Sequence, residues 1–129
     1  MGPVDQTRAL IAVLDDEPKC CRALARLLKT HGFEVVTFTR GEDFLEACVS
    51  RLPNCLLLDL HMPGLNGFEV LERIAVRHAP AIAITGQDQP GNAQRVRALD
   101  GLDYFLKPVN ESQLLAAIRT ALTDSETHN

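Results

Sequence analysis

The sequence predicts an α/β fold in which a doubly wound parallel sheet of five strands carries five helices. Two observations lead to this prediction. Short apolar runs without polar alternation recur along the chain, which is typical of strands that are buried on both faces. Stretches with helical periodicity separate these runs, so strand and helix alternate five times.

The first two strand–helix units occupy the N-terminal part of the chain. The apolar run Leu10–Leu14 predicts the first strand. Pro18 suits the first turn of a helix, and Gly32 marks the end of that helix at His31. The second strand is predicted at Val35–Phe38. A helix at residues 41–50 follows it, because its apolar side chains recur on one face.

The same pattern continues through the middle of the chain. The run Cys55–Leu58 predicts the third strand, and a loop rich in Pro and Gly separates it from a helix at about Phe68–Arg77. The fourth strand is predicted at Ala81–Ile84. A Pro-Gly turn and a short helix ending at about Leu99 follow.

The last unit completes the fold. Tyr104–Leu106 predicts a short fifth strand, and the Lys-Pro pair after it stops that strand. Asn110 is expected to cap a final helix whose apolar stripe reaches Leu122. Residues 123–129 form a polar tail that is expected to fray. Residues 1–129 are therefore predicted to be one domain, with a core over about residues 9–122.

Composition excludes several classes of function. The 129 residues carry a formal net charge of -4, which argues against the basic surface of a nucleic-acid-binding domain. The N-terminus lacks the pattern of a signal peptide, and the apolar runs are too short to span a bilayer. The four cysteines show no zinc-ligand spacing. We therefore expect a cytoplasmic domain with reduced thiols and with no membrane contact.

Polar residues follow four of the five predicted strands, where each strand ends. Ligands of such sheets bind outside the carboxyl ends of the strands. A single Asp in this position is more often a helix cap or turn residue, but five polar groups on one edge are hard to assign to caps. These residues are Asp15, Asp16, Asp59, Thr85 and Lys107.

The five groups together suit phosphoryl chemistry. Three carboxylates in one cleft repel each other unless a cation lies among them, and a site built from oxygen ligands suits Mg²⁺. Lys107 supplies a point charge for a phosphate, and Thr85 supplies a hydroxyl donor. Gly86 is expected to let the backbone approach closely. Asp59 has no acidic neighbour in sequence and is the best candidate for a phosphoryl-accepting nucleophile.

These residues resemble the receiver domain of the bacterial two-component response regulators, including the free-standing chemotaxis regulator. The resemblance extends from about Ala9 to Leu122 and implies the flavodoxin-like strand order 2-1-3-4-5. Each of the matching motifs is weak evidence by itself, but the order and spacing of the motifs together are specific to this family. The matching motifs are Leu14-Asp15-Asp16-Glu17, Leu58-Asp59-Leu60-His61-Met62-Pro63-Gly64, Ile84-Thr85-Gly86 and Tyr104-Phe105-Leu106-Lys107-Pro108.

The resemblance implies a phosphoacceptor and a metal site. Asp59 would accept a phosphoryl group from the phosphohistidine of a sensor histidine kinase or a phosphotransfer protein. Asp16 and Asp59 would ligate Mg²⁺ directly. Asp15 would act mostly through water, and His61 through its backbone carbonyl.

The resemblance also implies a switch. Lys107 would pair with Asp59 and then with the phosphoryl group, through a cis peptide bond to Pro108. Thr85 would turn inward to the phosphoryl group, and Tyr104 would change rotamer with it. The surface of the fourth helix, fifth strand and fifth helix would then change its affinity for a partner.

The family's activity concerns only its own phosphoryl group, so no enzyme acting on other substrates is expected. The output would be a separate protein or a C-terminal output domain, without direct binding of nucleic acid by this domain. The side chain of His61 is expected to be solvated at the mouth of the cleft. Together with Gln87, His61 is expected to influence how long the acyl phosphate lasts.

Two alternatives use a similar fold. A small phosphatase of the haloacid-dehalogenase type would need an Asp-x-Asp pair after the first strand, but Asp15 and Asp16 are adjacent and no cap domain is present. A flavodoxin-like cofactor binder would need a phosphate-binding loop at the same place. The acidic residues there would repel a cofactor phosphate.

Overall fold

The computed structural model describes residues 8–127, which form a single parallel sheet with helices on both faces. The sheet order is β2-β1-β3-β4-β5, and every neighbouring pair of strands is parallel. The predicted fold class and strand order are therefore confirmed. The strands are β1 (Leu10–Leu14), β2 (Glu34–Phe38), β3 (Cys55–Asp59), β4 (Ala81–Thr85) and β5 (Asp103–Leu106).

Five helices connect and follow the strands, as predicted. The ends of α2 and α3 were predicted two to three residues too late. The chain tightens there into three-residue turns, in which Val49 N–H donates to the Glu46 carbonyl and Arg77 N–H to the Ile74 carbonyl. The helices are α1 (Pro18–Thr30), α2 (Gly41–Ala47), α3 (Gly67–Ala75), α4 (Asn92–Ala98) and α5 (Glu111–Thr127).

The polar tail predicted at residues 123–129 is helical as far as Thr127, where α5 ends, and its expected fraying stays a prediction. The segment after Leu122 contains neither Gly nor Pro, so nothing in it breaks the helix. The Thr123 hydroxyl also donates to the Arg119 carbonyl at 2.9 Å, within the helix. Residues 128–129 of that tail lie outside the described residues.

The core has two layers, one on each face of the sheet. On one face α2, α3 and α4 supply buried side chains such as Phe44, Leu71 and Val96. On the other face α1 and α5 supply side chains such as Leu28 and Ile118. The central strands β1, β3 and β4 are buried along their whole length, which explains their unbroken apolar sequences.

Candidate functional site

An acidic cluster lies at the carboxyl edge of the sheet, where the sequence predicts it. Asp15 follows β1 and Asp59 ends β3, and these strands pair with Leu14 opposite Leu58. Asp15 is 3% exposed and Asp59 is 7% exposed, whereas Asp16 is more accessible. The three carboxylates each offer an oxygen within 4.8 Å of the others. The fold therefore brings the predicted acids together.

Lys107 reaches into this cluster from the end of β5. Its Nζ donates to Asp15 Oδ2 at 2.8 Å and to Asp59 Oδ2 at 3.4 Å. The pairing with Asp59 that the family resemblance implies is present, but Asp15 is the nearer partner. The Lys107–Pro108 peptide bond is cis, as expected. The sequence did not predict the third contact of the ammonium, to Cys20 Sγ at 3.7 Å.

Burial and charge oppose each other at these groups. Burial raises the pKa of Asp59, although the His61 N–H and the Lys107 ammonium act in the opposite direction. The charge of Asp15 adds to the increase. Burial alone would lower the pKa of Lys107, but the hydrogen bond and charge of Asp15 outweigh it and raise that pKa. Ionisation of Asp59 is therefore unfavourable in the folded protein, whereas the Lys107 ammonium stays protonated.

The donor set fits a divalent cation. Three carboxylates face one ammonium, which leaves two negative charges without a partner among these four groups. All the clustered ligand atoms are oxygens, which suits Mg²⁺ better than a metal that prefers nitrogen or sulfur. The backbone carbonyl of His61 stays a predicted ligand.

The loop between β3 and α3 fixes the position of Asp59 through a hydrogen bond and through close backbone packing. His61 N–H donates to Asp59 Oδ1 at 3.0 Å. Asn66 caps α3 in a reciprocal pair with Glu69, which fixes where the helix begins. A Cβ atom on Gly67 would lie 2.5 Å from the Asp59 carbonyl oxygen, so only glycine fits there.

Thr85 ends β4 and is fully buried, but its hydroxyl is engaged by its own loop. It donates to the Gln87 carbonyl at 3.2 Å, and its oxygen accepts from Gln87 N–H at 3.2 Å. The expected close approach of the Gly86 backbone to a phosphate stays a prediction, and no protein atom of the described residues crowds this position. A Cβ atom there would meet only Lys107 Cδ at 3.9 Å, which is an ordinary contact.

Tyr104 on β5 has polar partners that the sequence did not predict. Its hydroxyl donates to Asp88 Oδ1 at 2.8 Å and accepts from Asn92 Nδ2 at 3.3 Å. Burial raises the pKa of Tyr104, and the hydrogen bond and charge of Asp88 add to the increase. Asn92 is buried on α4 together with Val96, four residues later in the helix. This spacing was the only sequence signal that could have placed Asn92 on the inner face.

The prediction of a solvated His61 side chain is wrong. His61 is half-buried, and its Nε2 atom is shielded from solvent without a hydrogen-bond partner among the described residues. The ring lines a groove with the apolar side chains of Leu60, Met62 and Phe68. These neighbours follow from the tight path of the β3–α3 loop, which the sequence pattern does not specify.

The fold and this edge define a class of protein: a small doubly wound α/β domain that accepts a phosphoryl group on an aspartate. The chain belongs to the response regulator receiver domain family, whose sequence model matches residues 11–119. It is therefore a signalling domain of two-component systems that is controlled by phosphorylation. The comparisons give no support to the phosphatase alternative.

Relatives of known function agree with this assignment. The chain is 35% identical to Nodulation protein W of Bradyrhizobium diazoefficiens over 121 residues, which are 89% of this chain and 52% of that protein. It is 31% identical to the DNA-binding transcriptional regulator NtrC of Escherichia coli, covering 90% of this chain and 25% of NtrC. The chain spans about half the length, or less, of the curated relatives that it matches.

Solved structures show the same fold. A CheY-like receiver domain protein from Methanospirillum hungatei superposes with a TM-score of 0.89 at 25% identity, covering 95% of this chain and 100% of that one. The response regulator StyR superposes with a TM-score of 0.85 at 30% identity, covering 95% of this chain and 63% of that one. Within residues 8–127, every helix is too short or too polar to cross a bilayer.

Proposed function

We propose that Asp59 is the phosphoacceptor of this receiver domain. The observation that carries the proposal is the set of contacts at its buried carboxylate. Oδ1 accepts from His61 N–H at 3.0 Å, and Oδ2 lies 3.4 Å from Lys107 Nζ. Asp15 is less suited, because its oxygens are held more closely: Lys107 Nζ lies 2.8 Å from its Oδ2, and Glu17 N–H donates to its Oδ1 at 2.9 Å.

The chemistry is a phosphoryl transfer to a carboxylate. An oxygen of ionised Asp59 forms the new bond to phosphorus while the bond from phosphorus to the leaving group breaks. The leaving group is the imidazole of a phosphohistidine, or acetate when acetyl phosphate is the donor. The Lys107 ammonium lies within reach of the negative charge that arrives with the phosphoryl group.

Asp16 and Asp59 would hold Mg²⁺ directly, Asp15 mostly through water and His61 through its backbone carbonyl. When bound, the metal neutralises charge on the phosphoryl oxygens. The same cation would relieve the repulsion among the three carboxylates.

Phosphorylation would act as a switch through Thr85 and Tyr104. The phosphoryl group offers three acceptor oxygens, and Thr85 carries the one side-chain hydroxyl of the adjacent strand β4. Tyr104 lies on edge strand β5, where Leu102 and Leu106 expose apolar side chains nearby. We propose this α4–β5–α5 surface as the one whose affinity for a partner changes.

The partners follow from the family. A sensor histidine kinase or a phosphotransfer protein would supply the phosphoryl group. The longer relatives support an output that resides in a C-terminal domain or in a separate protein.

Labelling with acetyl phosphate and Mg²⁺ tests the assignment of Asp59. The protein should gain one phosphoryl group by intact mass, and the group should be stable in acid and labile in alkali. Asp59→Asn should abolish the gain, and chelation of Mg²⁺ should prevent it. Asp43→Asn, which changes an exposed aspartate on α2, should label normally. Labelling that persists in Asp59→Asn would exclude Asp59 as the acceptor.

A further inference from the structure

Asn92 is a buried polar side chain to which neither the acidic cluster nor the predicted switch assigns a role. Within the part of the chain whose burial the structure describes, four polar or charged residues are buried, and the other three are Asp15, Asp59 and Thr85. Asn92 is 6% exposed, and its amide donates to the Tyr104 hydroxyl at 3.3 Å. That hydroxyl in turn donates to the exposed Asp88 at 2.8 Å. We refer to Asp88, Asn92 and Tyr104 as the tyrosine clasp.

The tyrosine clasp is linked to Thr85 through one carbonyl group. The Gln87 carbonyl accepts from the Thr85 hydroxyl at 3.2 Å and from Asn92 Nδ2 at 3.5 Å. A hydroxyl has a single proton, so Thr85 cannot donate both to Gln87 and to a phosphoryl group on Asp59. In this structure the clasp is closed while the Thr85 hydroxyl donates to Gln87 and is unavailable to the site.

We propose that Asp88 is a positioning residue that opposes the switch in this chain. Its carboxylate holds the Tyr104 hydroxyl against the β4–α4 loop, and the loop holds Thr85 through Gln87. A hydrogen bond to a charged acceptor is stronger than one between neutral groups, so Asp88 makes the largest contribution to the clasp. The proposal rests on the function proposed above, with Asp59 as acceptor and Thr85 as the responding hydroxyl.

The consequence is a defined change in ligand affinity. A ligand that binds the switched state must also supply the free energy that opens the clasp. Removing the Asp88 carboxylate lowers that cost and leaves Lys107 and the acidic cluster at the carboxyl edge of the sheet unchanged. The affinity for a phosphoryl mimic should therefore rise, by about fivefold at the lower end of known allosteric couplings.

Beryllofluoride with Mg²⁺ is a suitable probe, because it mimics a phosphoryl group on a carboxylate and its binding can be followed by fluorine NMR. Asp88→Ala should bind it about fivefold more tightly than the wild type. Glu72→Gln removes an exposed charge on α3 and should bind like the wild type. In a Tyr104→Phe background, Asp88→Ala should have no further effect, because the bond that it removes is already absent.

Tyrosine fluorescence gives a second readout. The chain has one tyrosine and no tryptophan, so all such emission comes from Tyr104. A carboxylate that accepts from a phenol quenches its emission by accepting the proton in the excited state. Asp88→Ala should therefore be brighter than the wild type before any ligand is added, and beryllofluoride should brighten the wild type toward the same level.

The outcomes separate this inference from the proposed function. If the wild type does not bind beryllofluoride, or if Asp59→Asn binds it equally well, the proposed function fails. If the wild type binds but Asp88→Ala shows unchanged or weaker affinity, the role of Asp88 is refuted. An Asp88→Ala effect that survives in the Tyr104→Phe background would likewise refute it, because Asp88 would then act by another route.

Discussion

The two halves of the site are held together by different forces. The acidic half, formed by Asp15, Asp16, Asp59 and Lys107, is already assembled through charged contacts of 2.8 and 3.4 Å. The switch half is a chain of neutral hydrogen bonds of 3.2 to 3.5 Å that engages Thr85 away from Asp59, and it ends in the 2.8 Å bond from Tyr104 to Asp88. It consists of Thr85, Gln87, Asp88, Asn92 and Tyr104.

The difference shows how one sheet edge can both bind and respond. In the acidic half the backbone at Asp59 packs tightly against Gly67, so this part of the site has little room to move when a ligand arrives. The switch half includes the exposed loop of residues 86–91, where Gly86 has room and where hydrogen bonds can exchange partners at small cost. A rigid acceptor beside an adjustable loop is suited to a two-state domain.

The largest expected effect is at Gly67. A Cβ atom there would lie 2.5 Å from both the Asp59 carbonyl oxygen and the Leu60 Cα atom, and backbone cannot move aside easily. We expect Gly67→Ala to lower the free energy of unfolding by about 3 kcal/mol. Urea denaturation measures this change.

Gly86→Ala is the matched control in the switch half. Its nearest contact would be Lys107 Cδ at 3.9 Å, so we expect a change within about 0.5 kcal/mol. Equal effects of the two substitutions would show that the acidic half is no more rigid than the switch half.

Lys107 should give the next largest effect. Lys107→Met leaves Asp15 and Asp59 facing each other without the ammonium, and the lysine side chain is 26% exposed. We expect a loss of about 2 kcal/mol in the free energy of unfolding, measured without Mg²⁺. Because the pKa of Lys107 is raised, its contribution is complete at neutral pH and is lost only as the pH rises through the alkaline range.

Asp59→Asn should change stability in the opposite direction. Burial raises the pKa of Asp59, so its ionised form destabilises the fold. Without Mg²⁺ we expect the variant to be more stable than the wild type at neutral pH. The gain should disappear as the pH falls through the raised pKa, where the wild type is protonated too. A loss of stability at neutral pH would contradict this account of the charge at Asp59.

The fold and the acidic half could be predicted from the sequence for a physical reason. Strands buried on both faces are apolar throughout, so the polar residue that ends each one is conspicuous, as Asp59 is after Leu58. Parallel strands then place these ends on one edge. Strand pattern and topology were sufficient to bring Asp15, Asp59 and Lys107 together.

The remaining features depend on loop paths and rotamers, which a periodic pattern does not encode. One partner of Tyr104, Asp88, comes from a loop whose course is set by the turn at Gln87, and the other, Asn92, begins the helix that follows that loop. The burial of His61 depends on the tight connection into α3. The helix ends depend on local competition between three-residue and four-residue turns, as at Val49.

The smallest expected effect concerns the ionisation of Tyr104, which is the only tyrosine and can be followed by ultraviolet absorbance. Its pKa is raised above the ordinary value by burial and by the hydrogen bond to Asp88. We expect Asp88→Asn to lower that pKa, because the negative charge that opposes the tyrosinate is removed. Glu72→Gln should leave the titration unchanged.

The sign of the linked stability follows from the same shift. A raised pKa in the folded protein means that the contribution of Tyr104 is complete below about pH 10 and is lost as the pH rises through its folded pKa. Asp88→Asn should therefore have a smaller contribution from Tyr104, and the loss of that contribution should be complete at a lower alkaline pH than in the wild type. If Tyr104 titrates identically in the two proteins, the carboxylate of Asp88 does not act on the hydroxyl, and the switch half lacks the charged contact that distinguishes it from an ordinary loop.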